Sequence, residues 1–439
     1  MQDATNTSYV QFFSAFKKDC PIAVQAQIHW TYAADGERRL MEDFQWMVPT
    51  EFVFGHGAEE RIGNWVAHHD FAKALLIYGK THAVKSGLVA TIHGSLDNAG
   101  VEHVDMGGVR PNPEVSFVRN AIQTARDKEI DIVIAIGGGS VIDTCKAVAA
   151  GVLYDGDVWD LFKRPEPVAV SRSLPVVSVL TIPAAGSEAS DSCVISNDAL
   201  GLKSALHGDF IRCKAAFMDP ELTLSLPAWQ TFAGITDMCV HIFERFFSQT
   251  GDVPVSDGIA LSLLRSIRSA ALVLLRDPSN YDARATIMWA STLAHNGICG
   301  VGRVEDWASH GMEHELSAAK PEVTHGAGLA VIVPAWMRFV YHENPQRFAQ
   351  LGREVFGLGP TGSVEADAQA AIDAVQHFFC AIGMPRYLDE FGFTRDDVDA
   401  LLPSLQLNKG ATFGSFKRLS IEDARTIYLS AFKPKACQA

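Results

Sequence analysis

The stretch IDIVIAIGGGSVIDTCKAVAAGV, residues 130–152, limits the choice of fold more than any other. IDIVIAI (130–136) is an apolar, β-branched run of strand length, the texture of a strand buried in its sheet. Gly137, Gly138 and Gly139 follow, and a helical pattern begins at Ser140. A buried strand leading through glycines into a helix is half of a crossover unit between parallel strands.

The alternation extends to both sides. ALLIYG (74–79) is a second buried run, and THAVKSGLVATIHGSLDNAG (81–100) carries apolar residues at helical spacing. VEHVDMGG (101–108) and PVVSVLTIPA (175–184) read as strands, while Val115, Val118, Ile122 and Ala125 mark a helix face. Upstream, FQWMVPTEFVFGHGAEERIGNWV (44–66) opens the ordered body with β-favouring residues and a glycine turn. Beyond residue 220 the texture changes to long helical patterns at 229–248, 256–276, 281–299 and 364–382. The expected architecture is an α/β, Rossmann-like dinucleotide-binding domain with a parallel sheet over 43–219, followed by an all-α domain over 220–439. Residues 1–42 read as an appended arm of unassigned role.

The glycine turn suits a phosphate. Gly138 and Gly139 let the backbone approach a ligand, and the helix opening at Ser140 offers unpaired N–H groups at a positive dipole end. Neither G-x-G-x-x-G nor a Walker A sequence is present. Asp143, one turn into the helix, reads either as a charge on the dipole or as a ligand contact. Gly79, Lys80 and Thr81 end the ALLIYG strand where a dinucleotide's adenosine ribose is met. A carboxylate there accepts the ribose 2′-hydroxyl, whereas a cation accommodates a 2′-phosphate. Lys80 is present and no carboxylate follows through Lys85, which favours NADP(H) over NAD(H).

A second constellation lies in the helical half. Asp237 and His241 in AGITDMCVHIFERFF stand four apart, hence on one helix face. His310 and His314 repeat that spacing in WASHGMEHELSAAKPEVTH (307–325), with His325 beyond a Lys-Pro interruption. One carboxylate and three imidazoles make a mixed nitrogen–oxygen donor set suited to Fe²⁺ or Zn²⁺. His310, Glu313 and His314 also spell H-x-x-E-H, an inverted zinc-protease motif with Glu313 as base. That reading leaves the glycine turn and the Asp237/His241 pair without work.

Composition excludes other classes. A formal net charge of −14 argues against general affinity for nucleic acid or an anionic membrane. No apolar run approaches the roughly 20 residues needed to span a bilayer, and the N-terminus lacks a secretory pattern. Eight cysteines are scattered without a C-x-x-C pair. Together these features predict a cytoplasmic chain with reduced thiols.

The ordered motifs GGGSVID-x-x-K (137–146), PNP (111–113), D-x-x-x-H (237–241), H-x-x-x-H (310–314) and HG (325–326) resemble those of the iron-containing, or group III, alcohol dehydrogenases. WMVPTEFVFGHGAEE (46–60) resembles the family's opening strand and turn. YGK (78–80), YDARATIMWAST (281–292), DWASHGMEHELSA (306–318) and IVPAWMRF (332–339) look most like its NADPH-dependent aldehyde reductase and butanol dehydrogenase branch. The resemblance implies hydride transfer between NADP(H) and a small aldehyde or primary alcohol, in a homodimer or larger homo-oligomer. It implies that Asp237, His241, His310 and His325 hold the metal and that His314 relays a proton. Gly138, Gly139, Ser140 and Asp143 would meet the cofactor's phosphates and ribose, with Asn112, Thr181 and Lys203 lining its path. Related alternatives on this architecture are an NAD-dependent polyol dehydrogenase and a dehydroquinate synthase-like lyase. Two departures stand out: Ala185 replaces the family threonine in Ala185-Gly186-Ser187-Glu188, and the His310–His325 span is one residue longer.

Overall fold

The computed structural model describes residues 41–164 and 166–434, so the expected arm lies outside the described residues apart from Met41 and Glu42. Eight strands and five helices make up the first half. The strands are β1 (Glu51–Phe54), β2 (Lys73–Gly79), β3 (Glu102–Val109), β4 (Ile132–Gly138), β5 (Val176–Ile182), β6 (Ser192–Asn197), β7 (Leu202–His207) and β8 (Ala215–Met218). The helices are α1 (Ile62–His68), α2 (His82–Lys85), α3 (Leu88–Asn98), α4 (Val115–Asp127) and α5 (Gly139–Val152). The sheet runs β1-β8-β5-β4-β2-β3, and every neighbouring pair is parallel.

Alternate residues of each central strand serve opposite faces. Leu75, Ile77, Val133 and Ala135 pack with Val118, Ile122 and Val148 from α4 and α5 on one side. Ala74, Leu76, Ile132 and Ile134 pack with Ile62, Val66, Ile92 and Leu96 from α1 and α3 on the other. Both faces are covered, which is why these strands read as unbroken apolar runs. From β2 the chain moves outward to β3 and then crosses to β4 on the far side of β2. Their carboxyl ends therefore flank a topological switch point, the place where open α/β sheets bind ligands. Outside the main sheet, β6 and β7 form an antiparallel hairpin that the sequence pattern does not reveal.

The second half holds α6 (Ala228–Phe246), α7 (Pro254–Leu274), α8 (Tyr281–His295), α9 (Ala308–Ala319) and α10 (His325–Val340). It continues with α11 (Pro345–Phe356), α12 (Val364–Ala381), α13 (Val398–Lys409) and α14 (Ile421–Ser430). A short antiparallel pair, Thr412–Phe413 with Leu419–Ser420, interrupts the otherwise helical half. Its core is a separate cluster built on Ile235, Met238, Ile242, Met312, Leu316, Leu329 and Trp336.

Two glycines set how closely the central helices approach. A Cβ on Gly234 would stand 2.4 Å from the Pro183 carbonyl oxygen, and one on Gly326 would stand 2.0 Å from the Ala233 carbonyl oxygen. Both obstacles are backbone, which cannot rotate away. The first turn of α10 therefore lies directly against α6, and α6 against the loop after β5. Gly326→Ala should force these helices apart at a cost of about 1–3 kcal/mol, read as a lower thermal unfolding midpoint. An unchanged midpoint would show that the close approach is dispensable.

Candidate active site

A cavity of about 1120 Å³ runs between the carboxyl ends of the strands and the helices α6, α9 and α10. Gly79, Lys80, Thr81, Asn112, Gly138, Gly139, Ser140, Asp143, Thr181, Lys203, Asp237, His241, His310, His314 and His325 all line it. The structure thus brings every predicted site residue to one space.

At the nucleotide end the glycines do two jobs. A Cβ on Gly137 would meet Val141 Cγ2 at 2.5 Å, and one on Gly138 would meet Ile182 Cβ at 2.7 Å. Those two positions let α5 and β5 pack tightly, while Gly139 opens the helix beneath the cavity. Asp143 is committed to the protein: its oxygens accept from Ser187 Oγ at 2.5 Å and from the Val194 N–H at 2.9 Å. It ties α5 to β6 and to the loop that carries Ala185, and burial pushes its carboxyl up. Lys203 Nζ donates to Asn112 Oδ1 and to Ser317 Oγ, both at 3.0 Å, and Asn112 Nδ2 donates to the Pro321 carbonyl at 3.1 Å. Hairpin, glycine-rich side and helical half are thereby joined across the cavity wall. Asn112 adopts φ 55°, in the left-handed region that asparagine tolerates.

The histidine end is organised around Asp237. Its Oδ1 lies 3.3 Å from His241 Nδ1, 3.7 Å from His325 Nε2 and 3.8 Å from His310 Nε2. Asp237 Oδ1, His241 Nδ1 and His310 Nε2 are buried without any hydrogen-bond partner. Donor atoms about 2.1 Å from a cation at tetrahedral angles stand roughly 3.4 Å apart, so the observed spacings fit a single shared ion. Burial raises the Asp237 carboxyl, but the imidazoles of His241, His325 and His310 outweigh it and hold it well below its ordinary value. Asp237, His241 and His310 thus offer donor atoms within reach of one ion, with His325 Nε2 beside Asp237 as the fourth expected ligand.

Carboxylates behind the ring orient two of the imidazoles. Glu244, one helical repeat beyond Asp237 on α6, accepts from His310 Nδ1 at 2.8 Å, from the His310 N–H at 2.9 Å and from Ser309 Oγ at 2.6 Å. Its other oxygen accepts from the Trp307 N–H at 2.9 Å. Glu244 thus caps α9 and points His310 Nε2 at Asp237 in one arrangement. Burial pulls its carboxyl up, but the hydrogen bonds from His310 and Ser309 prevail and hold it low. Glu313 contacts His325 Nδ1 in the same manner. Fully buried, it faces that ring rather than the open cavity, so the protease role of a base acting on water does not fit.

His314 lies beside this group, its ring centroid 5.4 Å from that of His325. Burial, with Lys203 and the neighbouring imidazoles, pushes it well below the ordinary histidine value, so it is neutral near pH 7. Sequence reasoning missed Glu244, His295, Arg245 and Trp307. The His295 ring lies tilted against His241, centroids 4.0 Å apart, and approaches Ser192 Oγ at 3.4 Å. Arg245 pairs with Glu305 at 3.0 Å and lies over the Trp307 ring at 4.7 Å. For Glu244 a signal existed: 237, 241 and 244 share one stripe of a 3.6-residue helix.

Residues 49–220 match the iron-containing alcohol dehydrogenase family, and residues 231–432 match the C-terminal part of the same Fe-containing family. The NADH-dependent butanol dehydrogenase A of Clostridium acetobutylicum is 35% identical over 89% of this chain and 100% of its own length. The NADPH-dependent aldehyde reductase YqhD of Escherichia coli is 31% identical over 89% and 100%. The crystal structure of NADH-dependent butanol dehydrogenase A from Thermotoga maritima superposes with a TM-score of 0.87 at 35% identity, covering 90% of this chain and 100% of that one. With its parallel sheet, helical half and cleft between them, this chain belongs to the iron-containing alcohol dehydrogenase family and is an NAD(P)-dependent alcohol dehydrogenase or aldehyde reductase.

Proposed function

We propose that the chain reduces a small aldehyde with NADPH, reversibly, with Asp237, His241, His310 and His325 as ligands of Fe²⁺. The carrying observation is the convergence of three buried, unpartnered donor atoms beside a glycine-lined nucleotide cradle. An ion in that donor set supplies Lewis acidity toward a carbonyl oxygen. The residues 43–219 and 220–439 act as two domains, with the cofactor lying in the cleft between them.

Each remaining role belongs to this chain's own groups. Gly138, Gly139 and Ser140 offer backbone N–H groups to the pyrophosphate at the start of α5. Thr181, Asn112 and Lys203 line the path toward nicotinamide. Neutral His314 accepts or delivers the alcohol proton at a ring nitrogen, since its imidazole has no hydrogen-bond partner among the described residues. The enclosing helices keep bulk water from the reacting carbon.

The preference for NADPH rests on Lys80, exposed at the carboxyl end of β2 and lining the cavity without a carboxylate partner among the described residues. The relatives differ here, since the butanol dehydrogenases are named NADH-dependent and the E. coli reductase NADPH-dependent. We also propose a homodimer or larger assembly, supported by the exposed apolar side chains of Met41, Phe44, Trp46 and Met47.

Chelator-treated protein should not oxidise NADPH with butanal until Fe²⁺ or Zn²⁺ is restored, measured as the fall in absorbance at 340 nm. His310→Ala should lose this metal-dependent turnover while retaining NADPH binding; full activity without metal would end the proposal. Lys80→Ala should raise KM for NADPH about tenfold, the loss of one charge-assisted contact, and leave KM for NADH unchanged. Equal effects on both nucleotides would remove the case for NADPH. Light scattering should give a mass of at least twice 47.7 kDa; a monomer would refute the assembly.

A further inference from the structure

One wall of the cavity is cationic in a way that neither nucleotide binding nor the Asp237 cluster uses. Arg164, His207 and Lys409 line it together, from the loop after β5's preceding helix, the end of β7 and the end of α13. The wall adjoins the reactive end. A Cβ on Gly311, next in sequence to His310, would stand 2.4 Å from Lys409 Cε, so the lysine stem crosses the first turn of α9. His207 pairs across the hairpin with Ser192, whose hydroxyl approaches His295, and the His295 ring lies against His241.

These cations lack the partners that other enclosed cations in the molecule have. Arg245 is paired with Glu305, and Arg303 and Arg347 share Asp257. Arg164 makes one printed contact, from Nη2 to the Ala205 carbonyl at 2.8 Å. Lys409 Nζ has no hydrogen bond and no carboxylate within ion-pair distance among the described residues. The four carboxylates that act on Lys409 and His207 are held elsewhere or offset: Glu244 binds His310 and Ser309, and Asp306 accepts from the Ala308, Ser415 and Phe416 N–H groups. Glu315 is held by Asn408 Nδ2 at 2.9 Å and by Ser404 Oγ, and Asp191 faces His207. Burial depresses both the Arg164 guanidinium and the Lys409 ammonium, and Arg164 lowers Lys409 further. Two positive side chains that line one cavity without a carboxylate in ion-pair contact offer a site for an anion.

We propose that the aldehyde substrate carries a second, anionic group, a carboxylate at the far end of a short chain, which binds Arg164 and Lys409 with His207 as a further donor. This rests on the aldehyde reductase reading and names its substrate class. The carbonyl addresses the Asp237 cluster while the carboxylate engages the cationic wall, so two points fix the substrate's direction. Arg presents a planar fork to a carboxylate and Lys a point charge, which together favour an oxyanion over a neutral alkyl tail.

The test compares 4-oxobutanoate with butanal, equal in carbon number and differing by the terminal carboxylate, using metal-loaded enzyme. The wild type should reduce the acid with at least about tenfold higher kcat/KM, and rising salt should erode that ratio. Lys409→Met and Arg164→Met should each cut the acid-to-butanal ratio about tenfold, and Lys409→Arg should restore it. Butanal turnover with no preference for the acid, or a ratio unchanged in both variants, overturns the proposal and leaves the reductase reading standing. Failure of both aldehydes with NADPH and NADH overturns the reductase reading instead. In that case calorimetric titration of succinate decides the wall separately: binding that is lost in Lys409→Met supports an anion site, and no binding by the wild type overturns it.

Discussion

Everything around the reactive centre depends on the burial of Asp237 with one oxygen turned to three imidazoles and to no hydrogen-bond donor. A carboxylate removed from water costs several kcal/mol unless positive charge compensates it. Glu244 and Glu313 stand behind the ring, equally buried, so three carboxylates surround the space between the imidazoles. The His310 imidazole is desolvated, yet the Asp237 and Glu244 carboxylates beside it outweigh that and raise it above its ordinary value. A divalent cation satisfies the same demand without protonating a ligand.

Glu244 shows how such a centre is built into a fold rather than added to it. Its carboxylate closes the amino end of α9 and fixes the ring of His310, so the helix and the donor set stand or fall together. Asp306 contributes to the same corner by accepting the Ala308 N–H at 2.9 Å and the Ser415 and Phe416 N–H groups at 2.8 Å. Burial, with Glu244 nearby, raises its carboxyl to about 6. Close packing at Gly234 and Gly326 then holds α6 and α10 at the separation that lets His325 reach Asp237.

How much could be read beforehand follows from the range of each signal. Asp237/His241 and His310/His314 were legible because one helix face repeats every 3.6 residues, and the buried runs around Leu75 and Val133 were legible because both faces of their sheet are covered. The hairpin Ser192–His207 was not, since its strands alternate apolar and polar residues over a short span with no strong turn signature. Asp143 illustrates a role left open: first-turn charge and ligand contact were both readable, but its oxygens turn out to bind Ser187 and the Val194 N–H. The H-x-x-E-H reading failed for a related reason. Spacing placed Glu313 near the histidines, yet only packing decides whether it faces a ring nitrogen or an open cavity.

The sequence by itself determined the class of sheet, the glycine-lined turn into α5, and a carboxylate and three histidines in metal-ligand spacing, because these depend on local periodicity and residue chemistry. Their order along the chain was also enough to identify the family. Tertiary structure alone decided which donor atoms share one point, which carboxylates stand behind them, and which basic groups line one wall of the cavity. Arg164, His207 and Lys409 are separated by 43 and 202 positions in sequence and meet only because β7 and α13 close on the same cavity. Contacts of that range are set by packing across the whole molecule, and no local pattern announces them.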